Sequence, residues 1–231
     1  MDNIKHIFFD LDHTLWDFEK NSDDAYRRLL REEQIPVDFD TFIRTYNPVN
    51  RQYWEAYARG EKTKDEVKYF RLRDTFRALN VPVSEEKIRY LAEKYLTLLA
   101  QGTQLFPGTV EILACLQKNY PLHLITNGFT EVQQTKIRRS GLEQFFKTVT
   151  ITEETGYLKP HPEVFRYALR KAGARADQSL MIGDNWQSDI VGAKNVGMHT
   201  IFFDPEDTYD PPEAVTVKIR HLTELKKHLL C

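Results

Sequence analysis

The apolar run Ile7-Phe8-Phe9 ends in two carboxylates set two residues apart, Asp10 and Asp12. A carboxylate can attack phosphorus as a covalent nucleophile. A second carboxyl beside it can protonate a leaving oxygen and later activate water. Two further apolar runs end in related groups. The run 122–126 leads into Thr126-Asn127-Gly128, which offers a hydroxyl, an amide and a residue whose bare backbone can approach a phosphate closely. The run 179–183 leads into Asp184, with Asp189 five residues on. Carboxylates at a strand end suit magnesium, which takes oxygen ligands and keeps several waters. Between these two runs lies Lys159-Pro160, just before a helix start, where an ammonium can set a point charge on a phosphate. Each feature alone has a plain structural reading: solvated turn aspartates, an Asn-Gly turn, a surface lysine, a helix N-cap aspartate. Their occurrence together and in this order points to one site.

The elements that must position these groups follow from the hydrophobic pattern. Residues 4–9, 122–126, 148–152, 179–183 and 199–203 are short and β-rich, and mostly continuous rather than alternating in their apolar content. That is the pattern of strands buried on both faces of a parallel sheet. Helical patterns separate them. Val110, Leu113 and Leu116 share one face over 109–118, and Thr130 with Gln133 reads as a capping box closed by Gly141. Pro162 suits a first helical turn in a helix stopped at Gly173, and a last helix runs from about 187 to 196. The alternation predicts an α/β fold, a doubly wound parallel Rossmann-like sheet, with ligands bound outside the carboxyl ends of the strands.

One stretch breaks the alternation. Residues 16–104 contain no convincing strand and read as an inserted all-helical domain of about four helices, the α/β core being 1–15 with 105–231. Asn21 or Ser22 can cap its first helix, Thr63 and Glu66 form a capping box, and Ser84 opens a helix with Ile88, Leu91, Ala92, Tyr95, Leu98 and Leu99 on one face. Pro48 is expected to break or kink the stretch from Phe42 to Tyr57.

Composition narrows the function classes. The 231 residues are 41% hydrophobic with a formal net charge of −2, which lacks the basic footprint of a nucleic-acid binder. No stretch reaches the roughly 20 apolar residues of a membrane span. The N-terminal segment lacks the apolar run and cleavage site of a signal peptide. Cys115, among Leu113, Ala114 and Leu116, reads as a buried packing thiol, and Cys231 as an idle terminal residue. A reducing cytoplasm is the expected compartment.

The order Asp10-Leu11-Asp12-His13-Thr14, then Thr126-Asn127-Gly128, then Lys159-Pro160, then Gly183-Asp184 through Asp189 resembles the haloacid dehalogenase superfamily of phosphohydrolases. The insert resembles that superfamily's helical cap of the first type. The resemblance implies that Asp10 attacks phosphorus and becomes an aspartyl phosphate, and that Asp12 is the general acid and then the base. It implies that Thr126 and the backbone near Asn127 and Gly128 hold the phosphoryl oxygens, while Lys159 offsets negative charge. Magnesium is the implied cofactor, held by Asp10, the backbone carbonyl of Asp12, and Asp184, with Asp189 orienting Lys159 or the metal's waters from behind. Asp12 argues against the dehalogenating branch, which lacks the second aspartate. A phosphomutase, a regulatory binding module and a structural partner protein are the other rivals. The expected partner is a small soluble phosphate ester, and the expected state a monomer or weak homodimer. Within the insert, WEAYARGEKTKDE followed by YFRLRDTF looks like the branch of noncanonical pyrimidine 5'-nucleotidases. Tyr46, Tyr53, Trp54, Tyr57, Tyr69, Phe70, Arg71 and Arg73 there are groups able to stack on a base or bind an anion. A nucleoside 5'-monophosphate is thus the leading substrate class, ahead of phosphoglycolate or a sugar phosphate.

Overall fold

The computed structural model describes residues 3–210 and 217–231. Six strands form one parallel sheet in the order β3-β2-β1-β4-β5-β6: β1 His6–Phe9, β2 Leu122–Thr126, β3 Phe146–Ile151, β4 Ser179–Gly183, β5 His199–Phe203 and β6 Lys218–Ile219. The strands β1, β2 and β4 are buried almost throughout, as their continuous apolar runs require. The first strand is central. Ile7 pairs with Leu122 of β2 on one side and with Leu180 of β4 on the other. This register brings the ends of β1, β2 and β4, hence Asp10, Thr126 and Asp184, to one edge of the sheet. The two-residue β6 was not legible in the sequence; it is too short to carry a periodicity.

The helices α5 Thr109–Leu116, α6 Thr130–Arg139, α7 Pro162–Ala172 and the short α8 Gly192–Lys194 belong to the same unit. Val164, Phe165, Ala168 and Leu169 of α7 pack with Phe8, Ile125 and Met181 of the sheet into a buried cluster. Two local expectations fail. Val110 is 52% exposed rather than facing inward. The cap of α6 is Phe129, not Thr130, and no side chain caps it; the Thr130 N–H is met instead by Glu153 at 2.6 Å, which frees Gln133 for another task. The expected helix at 187–196 begins as a wide π-type turn over Trp186–Val191 before narrowing into α8.

The two cysteines are not idle thiols. Leu230 N donates to the Tyr120 hydroxyl at 3.2 Å, Lys226 pairs with Glu111, and the chain end is thereby laid along α5. Cys231 so meets Cys115 in a disulfide, with Cα atoms 5.1 Å apart, which corrects the reading of Cys115 as a packing thiol.

The chain divides into two compact units, Met1–Phe18 with Thr103–Cys231, and Glu19–Gly102. Four long helices occupy the inserted stretch: α1 Phe18–Glu32, α2 Phe39–Ala58, α3 Lys64–Ala78 and α4 Glu85–Leu99. Ser84 caps α4, and Thr63 with Glu66 forms the capping box of α3. Pro48 lies inside α2, which continues through it. Asn21 and Ser22 do not cap α1; they are buried within it, and Ser22 Oγ bonds the Tyr95 hydroxyl at 2.9 Å. The core of this unit is aromatic: Tyr26 stacks on Tyr95 with centroids 4.0 Å apart and meets Phe42 and Tyr46. Arg71 is 2% exposed in that core, bonded to Asn50 Oδ1 at 2.9 Å, with its guanidinium 5.2 Å from the Tyr95 ring. Arg71 is therefore packed within the aromatic core of this unit. Among the described residues no helix is long and apolar enough to cross a membrane.

Candidate active site

The segment past β1 turns sharply. Asp10 N donates to Ile182 O at 2.9 Å, extending the sheet by one residue, and His13 then adopts a left-handed φ of 65°. The turn is closed by Trp16 N to Leu11 O at 2.8 Å and His13 N to Trp16 O at 2.9 Å. It leaves Asp10 6% exposed, its carboxylate facing Lys159, Thr14 and Asp184.

Lys159 Nζ makes three bonds: to Asp10 Oδ1 at 2.5 Å, to Asp189 Oδ1 at 2.6 Å and to Ile125 O at 3.0 Å. Three acceptors saturate the ammonium. Burial alone would lower the Lys159 pKa, but the Asp10 and Asp189 charges outweigh it and the pKa rises. The lysine backbone is equally fixed. The Asn127 amide accepts from Lys159 N at 2.9 Å and donates to Lys159 O at 3.3 Å, so its side chain clamps the Lys159 main chain. This purpose of Asn127 was not legible in the sequence, because the two residues are 32 positions apart.

Thr14 supplies the next link. Its hydroxyl shares its proton between Asp184 Oδ1 at 3.0 Å and Asp10 Oδ2 at 3.3 Å, and accepts from Asp184 N at 3.1 Å. Asp189 Oδ2 accepts from Asn185 N at 3.1 Å, so both of its oxygens are engaged. Gly183 makes room here: a Cβ on it would collide with the Asp189 carboxylate.

Asp10, Asp184 and Asp189 each present an oxygen within 4.8 Å of the others. Burial first, then the charges of the neighbouring aspartates, push Asp184 well above the usual carboxylate range. Asp10 is pushed up to about 7 by burial, against the opposing pull of Lys159. Buried carboxylates that repel one another are the arrangement that a divalent cation relieves. The oxygen-only donor set fits magnesium, and of the three carboxylates Asp189 is the one held by both the Lys159 ammonium and a backbone N–H, that of Asn185.

The Asp12 carboxylate stands apart from that group. Lys136 Nζ donates to its Oδ1 at 2.9 Å and its Oδ2 at 3.1 Å, and Gln133 Nε2 donates to Oδ2 at 2.9 Å. Gln133 also reaches Thr126 Oγ1 at 2.7 Å and Asn127 O at 3.1 Å. Gly128, at φ 145°, leaves the space that the Gln133 side chain fills. Thr126 is fully buried, its hydroxyl accepting from Gln133 Nε2 at 2.7 Å and donating to Asn127 O at 3.2 Å.

Sequence reasoning named Asp10, Asp12, Thr126, Asn127, Gly128, Lys159, Asp184 and Asp189, and the structure brings all of them to the same end of the sheet. It missed Gln133 and Lys136, for which the available signal was their position three residues apart on the helix that follows Gly128.

The family model described as haloacid dehalogenase-like hydrolase matches residues 4–197. The pyrimidine 5'-nucleotidase YjjG of Escherichia coli is 33% identical over 228 residues, covering 97% of this chain and 97% of that protein. The glyceraldehyde 3-phosphate phosphatase of Pyrococcus abyssi is 35% identical over 209 residues, covering 87% of this chain and 81% of that protein. Among solved structures, YfnB of Bacillus subtilis, in an orthorhombic form bound to magnesium, superimposes with a TM-score of 0.89 at 31% identity, covering 99% of this chain and 100% of that one.

Proposed function

The chain belongs to the haloacid dehalogenase-like hydrolase family, and on that footing we propose that it is a magnesium-dependent phosphomonoesterase acting through an aspartyl phosphate on Asp10. The observation that carries this reading is the buried contact of Asp10 with Lys159 and Thr14 beside Asp184, at the carboxyl end of the central strand. Magnesium would be held by Asp10 and Asp184 together with the Asp12 carbonyl, and it would offset the charge that the aspartates and a phosphate bring together.

The chain's own groups then divide the reaction. The unbonded face of the Asp10 carboxylate attacks phosphorus, and Lys159 holds the carboxylate in place while balancing the charge of the transferring group. Thr126 and the main-chain N–H groups near Asn127 and Gly128 receive the equatorial oxygens. Asp12 gives a proton to the departing alcohol oxygen, and the resulting carboxylate then takes a proton from the water that cleaves the acyl phosphate. Asp189 keeps Lys159 aimed at Asp10. In this reading the second aspartate separates the enzyme from the dehalogenating members of the fold.

The substrate is a small soluble phosphate ester, and a nucleoside 5'-monophosphate is the leading class, supported by the identity to a pyrimidine 5'-nucleotidase over nearly the whole of both chains. A triose or other sugar phosphate is the second reading, supported by the identity to a glyceraldehyde 3-phosphate phosphatase. Initial rates on pyrimidine and purine 5'-monophosphates, glyceraldehyde 3-phosphate and phosphoglycolate, with and without magnesium, test both. A kcat/KM for the sugar phosphates above that for every nucleotide reverses the order, and no hydrolysis of any ester removes the reading.

A further inference from the structure

We infer that Gln133 and Lys136, one turn apart on α6, are positioning residues that aim the Asp12 carboxyl at the oxygen of the leaving alcohol. The inference rests on Asp12 being the acid of a phosphomonoesterase.

Lys136 is the observation that calls for a reason. It is 2% exposed, and burying an ammonium is unfavourable unless a partner offsets it. Its bonded carboxylate partner is Asp12, through both oxygens, and the Trp16 ring at 4.2 Å and the Phe18 ring at 5.2 Å lie beside it. Arg138 and Arg139 follow it on the same helix and are exposed, so nothing in the helix itself requires an internal cation at this position. The cation bonded to Asp10 is Lys159, whereas the carboxylate that Lys136 bonds is Asp12.

Gln133 completes the arrangement. It is 1% exposed and shares two N–H groups among Asp12 Oδ2, Thr126 Oγ1 and Asn127 O. The Asp12 oxygens thus receive three hydrogen bonds from one helix face, which fixes their direction. The same amide ties Asp12 to the strand end that receives the phosphoryl oxygens, so acid and phosphate keep a set separation. Without these donors Asp12 sits on an irregular turn beyond β1 with its χ angles free, and proton transfer falls off steeply with misplacement.

The step at stake is the first one. An Asp10 oxygen forms a bond to phosphorus, the P–O bond to the alcohol breaks, and a proton carried on the free lone pair of Asp12 Oδ1 passes to the alcohol oxygen, leaving the carboxylate that Lys136 and Gln133 hold. An alkoxide needs that proton, whereas 4-nitrophenolate departs without it. Replacing Lys136 by Met keeps most of the stem and removes the donor. For Lys136→Met, kcat/KM toward a nucleoside 5'-monophosphate is expected to fall about 100-fold or more, and toward 4-nitrophenyl phosphate less than tenfold. Lys136→Arg, which restores a charged donor, should recover part of the loss for the alkyl ester alone. Gln133→Met, which leaves the ion pair intact, is read in the same way should Lys136→Met fail to fold, with a smaller split expected. Melting temperatures accompany the kinetics. Equal losses for the two esters, with or without a lower melting temperature, overturn the inference and leave both residues structural. Failure of the wild-type protein to hydrolyse either ester, or full activity of Asp10→Asn, instead overturns the phosphomonoesterase reading, so the two failures are distinguishable.

Discussion

The Lys159 ammonium lies 2.5 Å from the Asp10 carboxylate, with both side chains nearly sealed from solvent. A buried ion pair seldom repays its own desolvation, so on the proposed function this pair serves chemistry more than stability. Asp10→Asn should therefore lower kcat by at least about a thousandfold, since an amide cannot act as the nucleophile. The fold should survive: Lys159 keeps Asp189 and Ile125 O, and a buried carboxylate whose pKa is already pushed up to about 7 is removed. Rates and circular dichroism melts of the two proteins check this. Activity within tenfold of wild type would sink the assignment.

Magnesium should raise the melting temperature as well as switch on hydrolysis, because it binds the folded carboxylate group and not the dispersed chain. At 100 times its dissociation constant the stabilisation is about 2.7 kcal/mol. Asp184→Asn should weaken that response, and Thr14→Val should weaken it less, having lost only the hydroxyl between Asp10 and Asp184. Melts over a magnesium titration after exhaustive chelation decide it. An unchanged melting temperature in the wild-type protein counts against the metal.

Arg71 offers a test inside the helical unit. Its Nε and one terminal nitrogen have no hydrogen-bond partner although they are buried. Arg71→Met, which fills a similar volume without the charge, is expected to change stability by less than about 1.5 kcal/mol or to increase it. Arg71→Ala leaves a void among Tyr46, Tyr95 and Asn50 and should cost about 2–4 kcal/mol. Denaturant titrations of the two variants measure this. A large loss in Arg71→Met would show that the charge itself is needed.

Acid should weaken the α/β unit through His123. The ring is buried in the sheet, its Nδ1 bonded to Thr148 Oγ1 at 2.8 Å and its Nε2 to His6 Nδ1 at 3.1 Å. Burial first, then the charges of His6 and Lys147, push its pKa from 6.5 down to about 4. The unfolded chain thus binds this proton more readily than the folded one. Its contribution is fully present above pH 6.5 and is lost as the pH falls from there toward 4. His123→Gln should flatten the slope of unfolding free energy against pH in that window. An unaltered slope means that other groups set the acid limit.

Much of this was legible in the sequence for a physical reason. Strands buried on both faces must be continuously apolar, so the groups that end them stand out, and Asp10, Thr126 and Asp184 are such groups. The capping box at Thr63 and the cap at Ser84 were equally plain, because their donors and acceptors lie within four residues. What stayed hidden depends on distant parts of the chain. Lys136 looks like any helix-surface lysine until Asp12, 124 residues earlier, is set against it. Gln133 imitated a capping residue because the same side chain serves either purpose, and only Glu153, bonded to the helix end, decides between them. Cys115 gave no sign of its partner, which is 116 residues away.

The central place of β1 has a consequence for how the protein is made. Its two neighbours are β2 and β4, so during synthesis β1 has no partner until residue 122 appears and no second partner until residue 179. The helical unit, Glu19–Gly102, is complete before either and carries its own aromatic core. If that unit folds on its own during synthesis, β1 waits ahead of it as an apolar strand with bare edges. Asp10 acquires its place in the sheet only when Ile182 arrives to accept its N–H. Nascent chains that stop short of that point carry the nucleophile's sequence without its surroundings, and they expose Ile7, Phe8 and Phe9 to aggregation and to chaperones.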